Sequence, residues 1–202
     1  FVVFACGSLL LNGTFGAIVV QNGGTISAGN SVGSLTVNGA GVSGGGSLAL
    51  NSGAIVVFEF NNAAGSPGNP AGGWDFIDLG SGMLNLNADN YSTANMVTLQ
   101  VNSWLPDNSG PGAAANFDPL AGTPGNRNTG YFWKFLAVTD SSKIVTNGVP
   151  GSIGGRFLVD DSGVFAGNNP FTRPITSLGQ GTFRVVDGNF GQGYGLYLVY
   201  SA

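Results

Sequence analysis

The chain has 202 residues, of which 36 are Gly, 43% are hydrophobic and only 8% are charged, against roughly 25% charged in an average soluble domain. That length can bury a continuous core, yet it holds no basic stripe for a nucleic acid to follow and no apolar run near the roughly 18 residues of a membrane span. With no His and one Cys, intramolecular disulfides, Cys/His metal sites and His-dependent triads are excluded.

Residues 1–126 carry Glu59, Asp75, Asp78, Asp89, Asp107 and Asp118 and not one Lys or Arg, a formal −6 with nothing for trypsin to cut. Residues 127–202 hold all six cations against Asp140, Asp160, Asp161 and Asp187, a formal +2. Such asymmetry favours contact between the acidic part of one molecule and the basic part of another, weakened by salt over about a Debye length. The many glycines read as turn residues between short strands, because runs such as Ile18-Val19-Val20 and Ile55-Val56-Val57-Phe58 are too apolar for a disordered chain.

The N-terminal segment, Phe1 to Leu11, is apolar on both faces of an extended strand. Burying Phe1, Val2, Val3 and Phe4 is worth roughly 6–12 kcal/mol gross, at about 1.5–3 kcal/mol each. Two destinations satisfy it: an inner position in the chain's own fold, or insertion into a neighbouring molecule by strand addition. Under the second, Phe1, Val2, Val3, Phe4, Leu9, Leu10 and Leu11 are the candidate polymerisation residues. No charged leader precedes Phe1, which reads as a mature or truncated chain. Val3-Phe4-Ala5-Cys6-Gly7 has the form of a lipoprotein cleavage box, but a buried, inert thiol in a strand is the expectation for Cys6.

Short phrases then recur: Gly7-Ser-Leu-Leu-Leu-Asn-Gly13, Gly33-Ser-Leu-Thr-Val-Asn-Gly39, Gly46-Ser-Leu-Ala-Leu-Asn-Ser52 and, more loosely, Gly82-Met-Leu-Asn-Leu-Asn-Ala88. Gly-Ala-Ile-Val-Val occurs at 16–20 and again at 53–57. In each unit two apolar residues two apart share one face of a strand, and the Asn that follows suits a corner. Stacked units would set Leu beside Leu and Asn beside Asn, which predicts a parallel β-solenoid body over residues 1–104.

Residues 105–130 are rich in Pro, Gly, Asn and Ala without periodicity and read as a loop or linker. Beyond it, residues 131–202 carry longer aromatic strands, at Tyr131 to Val138, Arg156 to Val159, Thr182 to Val186 and Tyr194 to Tyr200, as a C-terminal β cap. In the last of these, Tyr194, Leu196, Leu198 and Tyr200 share one face and the opposite face is apolar as well, so both can be covered.

The stretch Gly23-Gly-Thr-Ile-Ser-Ala-Gly-Asn-Ser-Val-Gly-Ser-Leu-Thr-Val-Asn-Gly39 resembles the repeat of autotransporter passenger domains. It equally resembles exported bacterial proteins that end in a Pro-Glu-Pro C-terminal sorting signal, PEP-CTERM proteins. The resemblance implies a right-handed parallel β-solenoid, secreted to the bacterial exterior or cell surface, with a structural or adhesive role in a matrix or biofilm. Gly195-Leu-Tyr-Leu-Val-Tyr-Ser-Ala202 is similar to the strand before such a signal, although neither the signal nor a membrane barrel is present in the sequence.

Paired carboxylates are the chemistry that remains open to the chain. Asp75 and Asp78 fall on opposite faces of an extended strand, and Asp160 and Asp161 diverge unless a turn intervenes, so turn formation is their predicted role. Asp160 and Asp161 are also weak candidates for a surface Ca²⁺. Trp74, Trp104 and Trp133 read as core rather than as a sugar-stacking platform. Asn12-Gly13-Thr14 and Asn90-Tyr91-Ser92 fit the N-glycosylation pattern.

The composite expectation is an all-β protein, a parallel β-solenoid with a C-terminal β cap or, as the alternative, a β-sandwich or jelly roll. It is not an enzyme and takes no cofactor. Its partners are copies of itself, joined head to tail into a filament or surface matrix. A carbohydrate-binding adhesin module contacting surface glycans is the second reading, and a polysaccharide-cleaving β-helix enzyme the third.

Overall fold

The computed structural model describes residues 7–10, 12–38, 46–89, 91–118, 130–148, 153–165 and 181–201, and the main chain alone at 2–3 and 149–150. Within them the fold is all-β, with no α-helix. In chain order the strands are β1 (Val2–Val3), β2 (Ser8–Leu10), β3 (Gly13–Phe15), β4 (Ala17–Val20), β5 (Thr25–Ser27), β6 (Ser34–Val37), β7 (Ser47–Asn51) and β8 (Ile55–Phe60). There follow β9 (Ser66–Pro67), β10 (Gly73–Trp74), β11 (Phe76–Asp78), β12 (Met83–Asn87), β13 (Val97–Ser103) and β14 (Tyr131–Ala137). The last are β15 (Ile144–Thr146), β16 (Val149–Pro150), β17 (Phe157–Gly163), β18 (Thr182–Asn189) and β19 (Tyr194–Ser201).

Three sheets contain them. The first has the order β1-β4-β7-β12-β15-β16 and the third β18-β19-β14-β11-β6-β3. In the second, β2, β5, β8, β13 and β17 lie side by side, with β10 attached to β8 and β9 to β10. From β2 onward the chain visits the second, third and first sheets in turn, so strands adjacent in a sheet come from successive passes.

Alternating sequence makes these strands two-faced. In Val97-Thr-Leu-Gln-Val-Asn-Ser103 every odd-numbered residue is buried and every even-numbered one half-buried, the period of two that a pleated strand imposes. Parallel pairing then aligns apolar residues into columns: Ile18 beside Leu48, Leu48 beside Leu84 and Leu84 beside Ile144, all fully buried. Each such side chain contributes about 1.5–3 kcal/mol of transfer free energy. At the end of the column a ladder of amides forms, Asn51 Nδ2 donating to Gln21 Oε1 at 2.6 Å and Asn87 Nδ2 to Asn51 Oδ1 at 2.9 Å.

The uniform parallel β-solenoid expected from the repeats is not what forms. The sheets are mixed: β8 pairs antiparallel with β10, β15 with β16, and β19 with both β14 and β18. The repeated phrases also fail to mark one position of a coil. Leu9 lies in the second sheet, Leu35 in the third, and Leu48 and Leu84 in the first, while the two Gly-Ala-Ile-Val-Val phrases enter different sheets. A Leu-x-Leu unit specifies a half-buried strand, and the intervening turns decide which sheet receives it. The sandwich-like alternative is compatible with this arrangement.

Nor do the C-terminal antiparallel strands stand apart as a cap. β14 pairs in parallel with β11 on one side and antiparallel with β19 on the other, so β18 and β19 extend a sheet that begins with β3. Both faces of β19 are covered, with residues 195–200 all buried. An aromatic cluster fills the core there: Trp133 stacks on Tyr131 and Phe60 at 5.1 Å, and Phe117 meets Phe60 and Tyr200 edge-on at 5.4 Å.

Candidate functional site

The most unusual chemistry lies where β8 passes the turn between β10 and β11. Glu59, the single acid in an otherwise apolar strand, and Asp75, between Trp74 and Phe76, are both buried. Two hydrogen bonds join them, one in each direction. The Asp75 N–H donates to the Glu59 carbonyl at 2.8 Å, and the Glu59 N–H donates to Asp75 Oδ2 at 3.0 Å. Asp75 Oδ1 accepts from the Gly33 N–H at 2.8 Å, so one carboxyl ties the entry of β6 to β8. Trp104, just past β13, donates its indole N–H to Glu59 Oε1 at 2.9 Å.

Burial pushes the Asp75 carboxyl well above the ordinary aspartate range; the charge of Glu59 adds to the rise, and the two N–H donors only partly offset it. Glu59 is also pushed up by burial, against the indole of Trp104. Around the pair the polar groups are matched. Asn61, fully buried, accepts from the Gly73 N–H at 2.8 Å and donates to the Pro70 carbonyl at 2.9 Å, pinning the 65–73 loop. Ser103 Oγ donates to the Gly112 carbonyl at 2.6 Å and accepts from the Phe165 N–H at 2.8 Å. Such a constellation can hold a proton and clamp three segments together.

Gly33 owes its identity to this packing. A Cβ there would lie 2.5 Å from Asn12 Oδ1 and closer still to the Ala28 carbonyl oxygen. No rotamer relieves a clash that begins at Cβ.

The acids predicted to form turns divide. Asp78 and Asp160 each accept a hydrogen bond from the N–H two residues on, the Asx turn that short carboxylates favour, and Asp89, Asp107 and Asp140, for which no turn is predicted, do the same. Asp75 does not, and its pairing with Glu59 has only a faint signal in the sequence, a lone acid inside an apolar strand. Asp75 and Asp78 therefore act separately.

Asp160 and Asp161 sit on β17, where the register against β13 shifts between Gln100 and Asn102, and Asp161 is pushed up by burial. Among the described residues no three His, Cys, Asp or Glu side chains gather as a metal site would require. Trp74 and Trp133 are core, their indoles donating to the carbonyls of Lys134 and Ala63 at 3.0 Å.

Of the candidate polymerisation residues, Phe1, Phe4 and Leu11 lie outside the described residues, as does Cys6. Val2 and Val3 pair in parallel with Val19 and Val20 of the same chain. Leu9 packs partly buried against the core, and Leu10 is 46% exposed. With β3 these segments stand at one margin of all three sheets. No helix among the described residues is long and apolar enough to cross a membrane. Compared with known proteins, the chain matches no family model, no curated protein and no solved structure.

Proposed function

We propose that this chain is a non-catalytic structural protein of the bacterial exterior, a subunit that self-associates into a filament or surface matrix through β-strand contacts. The observation that supports it is the shared margin formed by β1, β2 and β3. Monomeric proteins blunt an edge strand with charges, Pro or a bulge, whereas residues 1–58 contain no charged side chain and no Pro. β17 on the opposite side is differently made, with Asp160, Asp161 and a register shift. The uncharged margin is the face suited to strand addition.

A surface poor in charge fits the same role, since packed copies need not strip solvent from many ions. The buried Glu59–Asp75 pair reads as a clamp rather than a catalytic dyad, its carboxyls being occupied with main-chain and indole N–H groups. Negative-stain microscopy of the purified protein is the test. Regular fibres or ordered sheets are the expected result, and dispersed single particles at every concentration would overturn the reading.

A further inference from the structure

The outer face of the third sheet carries an aromatic patch. Cross-strand pairing puts Phe132, Val199 and Arg184 in one row and Lys134, Tyr197 and Val186 in the next, and residues directly opposite share a face. Phe190 lies over them, 5.4 Å from Phe132 and 5.0 Å from Tyr197. Phe132 and Phe190 remain 39% and 47% exposed. Arg184 is exposed at the edge, and Lys134 is held by the Gln192 carbonyl.

Elsewhere on the molecule stands a projection of matching chemistry. Tyr91, between β12 of the first sheet and β13 of the second, is 91% exposed, the highest exposure of any large hydrophobic side chain among the described residues. Its loop is held in shape: the Tyr91 N–H donates to Asp89 Oδ1 at 3.0 Å and Asn95 Nδ2 donates to Asp89 Oδ2 at 3.1 Å. An aromatic ring whose own main chain is already hydrogen-bonded loses less freedom on docking. The knob carries a negative charge in a half of the chain without cations, and the patch carries positive ones.

Resting on the self-association proposed above, we infer that the Tyr91–Asp89 knob of one molecule docks on the Phe132–Phe190 patch of a second copy, with Asp89 facing Arg184. Knob and patch are different surfaces, so each molecule can give one and receive the other, and the contact propagates instead of closing into a dimer. A single ring buries about 150–250 Å², far below the roughly 1,200 Å² of a stable interface. The contact is therefore weak alone and gains strength only through repetition in an array.

Sedimentation velocity on the full chain tests it, with Tyr91→Ala and Phe190→Ser as variants whose melting temperatures check that they fold. Each alone should self-associate about tenfold or more weakly than wild type, the usual effect of losing an aromatic anchor. The charge reversals Arg184→Glu and Asp89→Arg should each weaken association, and the double reversal should restore it.

Wild-type assembly that both variants reproduce would overturn the docking and leave the strand-margin reading standing. A wild type that is monomeric throughout would overturn both. Binding of a neutral oligosaccharide that Phe190→Ser abolishes, with assembly unchanged, would assign the patch to a glycan and overturn the docking.

Discussion

Glu59 and Asp75 hold each other by a reciprocal pair of hydrogen bonds, Asp75 N–H to the Glu59 carbonyl at 2.8 Å and Glu59 N–H to Asp75 Oδ2 at 3.0 Å, with both side chains out of water. The two acids gain anchoring but lose hydration, and for Asp75 the loss is the larger effect.

That imbalance gives stability a pH dependence of definite sign. A carboxyl whose folded pKa is raised binds its proton more readily in the native state, so its contribution is complete below the ordinary value of 3.8 and is lost as pH rises through the folded value. Glu59 and Asp161 act in the same direction. Asp107 and Asp140 are lowered by hydrogen bonds from Ser109 and Ser142, so what they contribute is present above the ordinary value of 3.8 and is lost as pH falls through the folded value. Urea denaturation should therefore show stability falling as pH rises above the ordinary aspartate value, and Asp75→Asn should flatten the slope. A slope that survives that substitution would assign the effect elsewhere.

Gly33→Ala should cost about 1–3 kcal/mol, the range for overpacking a tight site, because its Cβ meets the Ala28 carbonyl and the Asn12 side chain. Gly110→Ala is the control, with nothing within 4 Å of the added carbon. It should stay within about 0.5 kcal/mol of wild type. Equal losses in chemical denaturation would refute the packing argument.

In the amide ladder, Asn51 donates to Gln21 and accepts from Asn87. Asn51→Ala removes both bonds, at about 0.5–1.5 kcal/mol for each. A double-mutant cycle with Asn87→Ala should show coupling between the two sites, and strict additivity would mean that the ladder contributes nothing as a unit.

Tyr200 should ionise late. Burial and then the nearby acids Asp118 and Asp161 push its phenol up to about 12. Ultraviolet titration should lose one late-ionising tyrosine in Tyr200→Phe, and an unchanged profile would count against this environment.

Much of the local structure is legible in the residues themselves. The alternation in Ser47–Asn51, Met83–Asn87 and Tyr194–Ser201 reads directly as strands, and the aromatic segments around Tyr131, Phe157 and Thr182 form where the pattern places them. Sheet membership is not legible. Leu35 and Leu48 sit in nearly identical phrases yet enter different sheets, because a period of two encodes which face is buried and nothing about the neighbouring strand. The antiparallel run of β19 against β14 is equally silent, since the apolar pattern of a strand does not encode the direction of its neighbour. The Glu59–Asp75 pair joins residues 16 apart through backbone contacts, which no spacing rule announces.

Self-association through the strand margin is the claim from which the functional account follows, and sedimentation velocity of the wild-type chain across a wide concentration range tests it most directly. The account predicts boundaries that shift to ever larger species as concentration rises. A single boundary at the 20.4 kDa monomer throughout would contradict it.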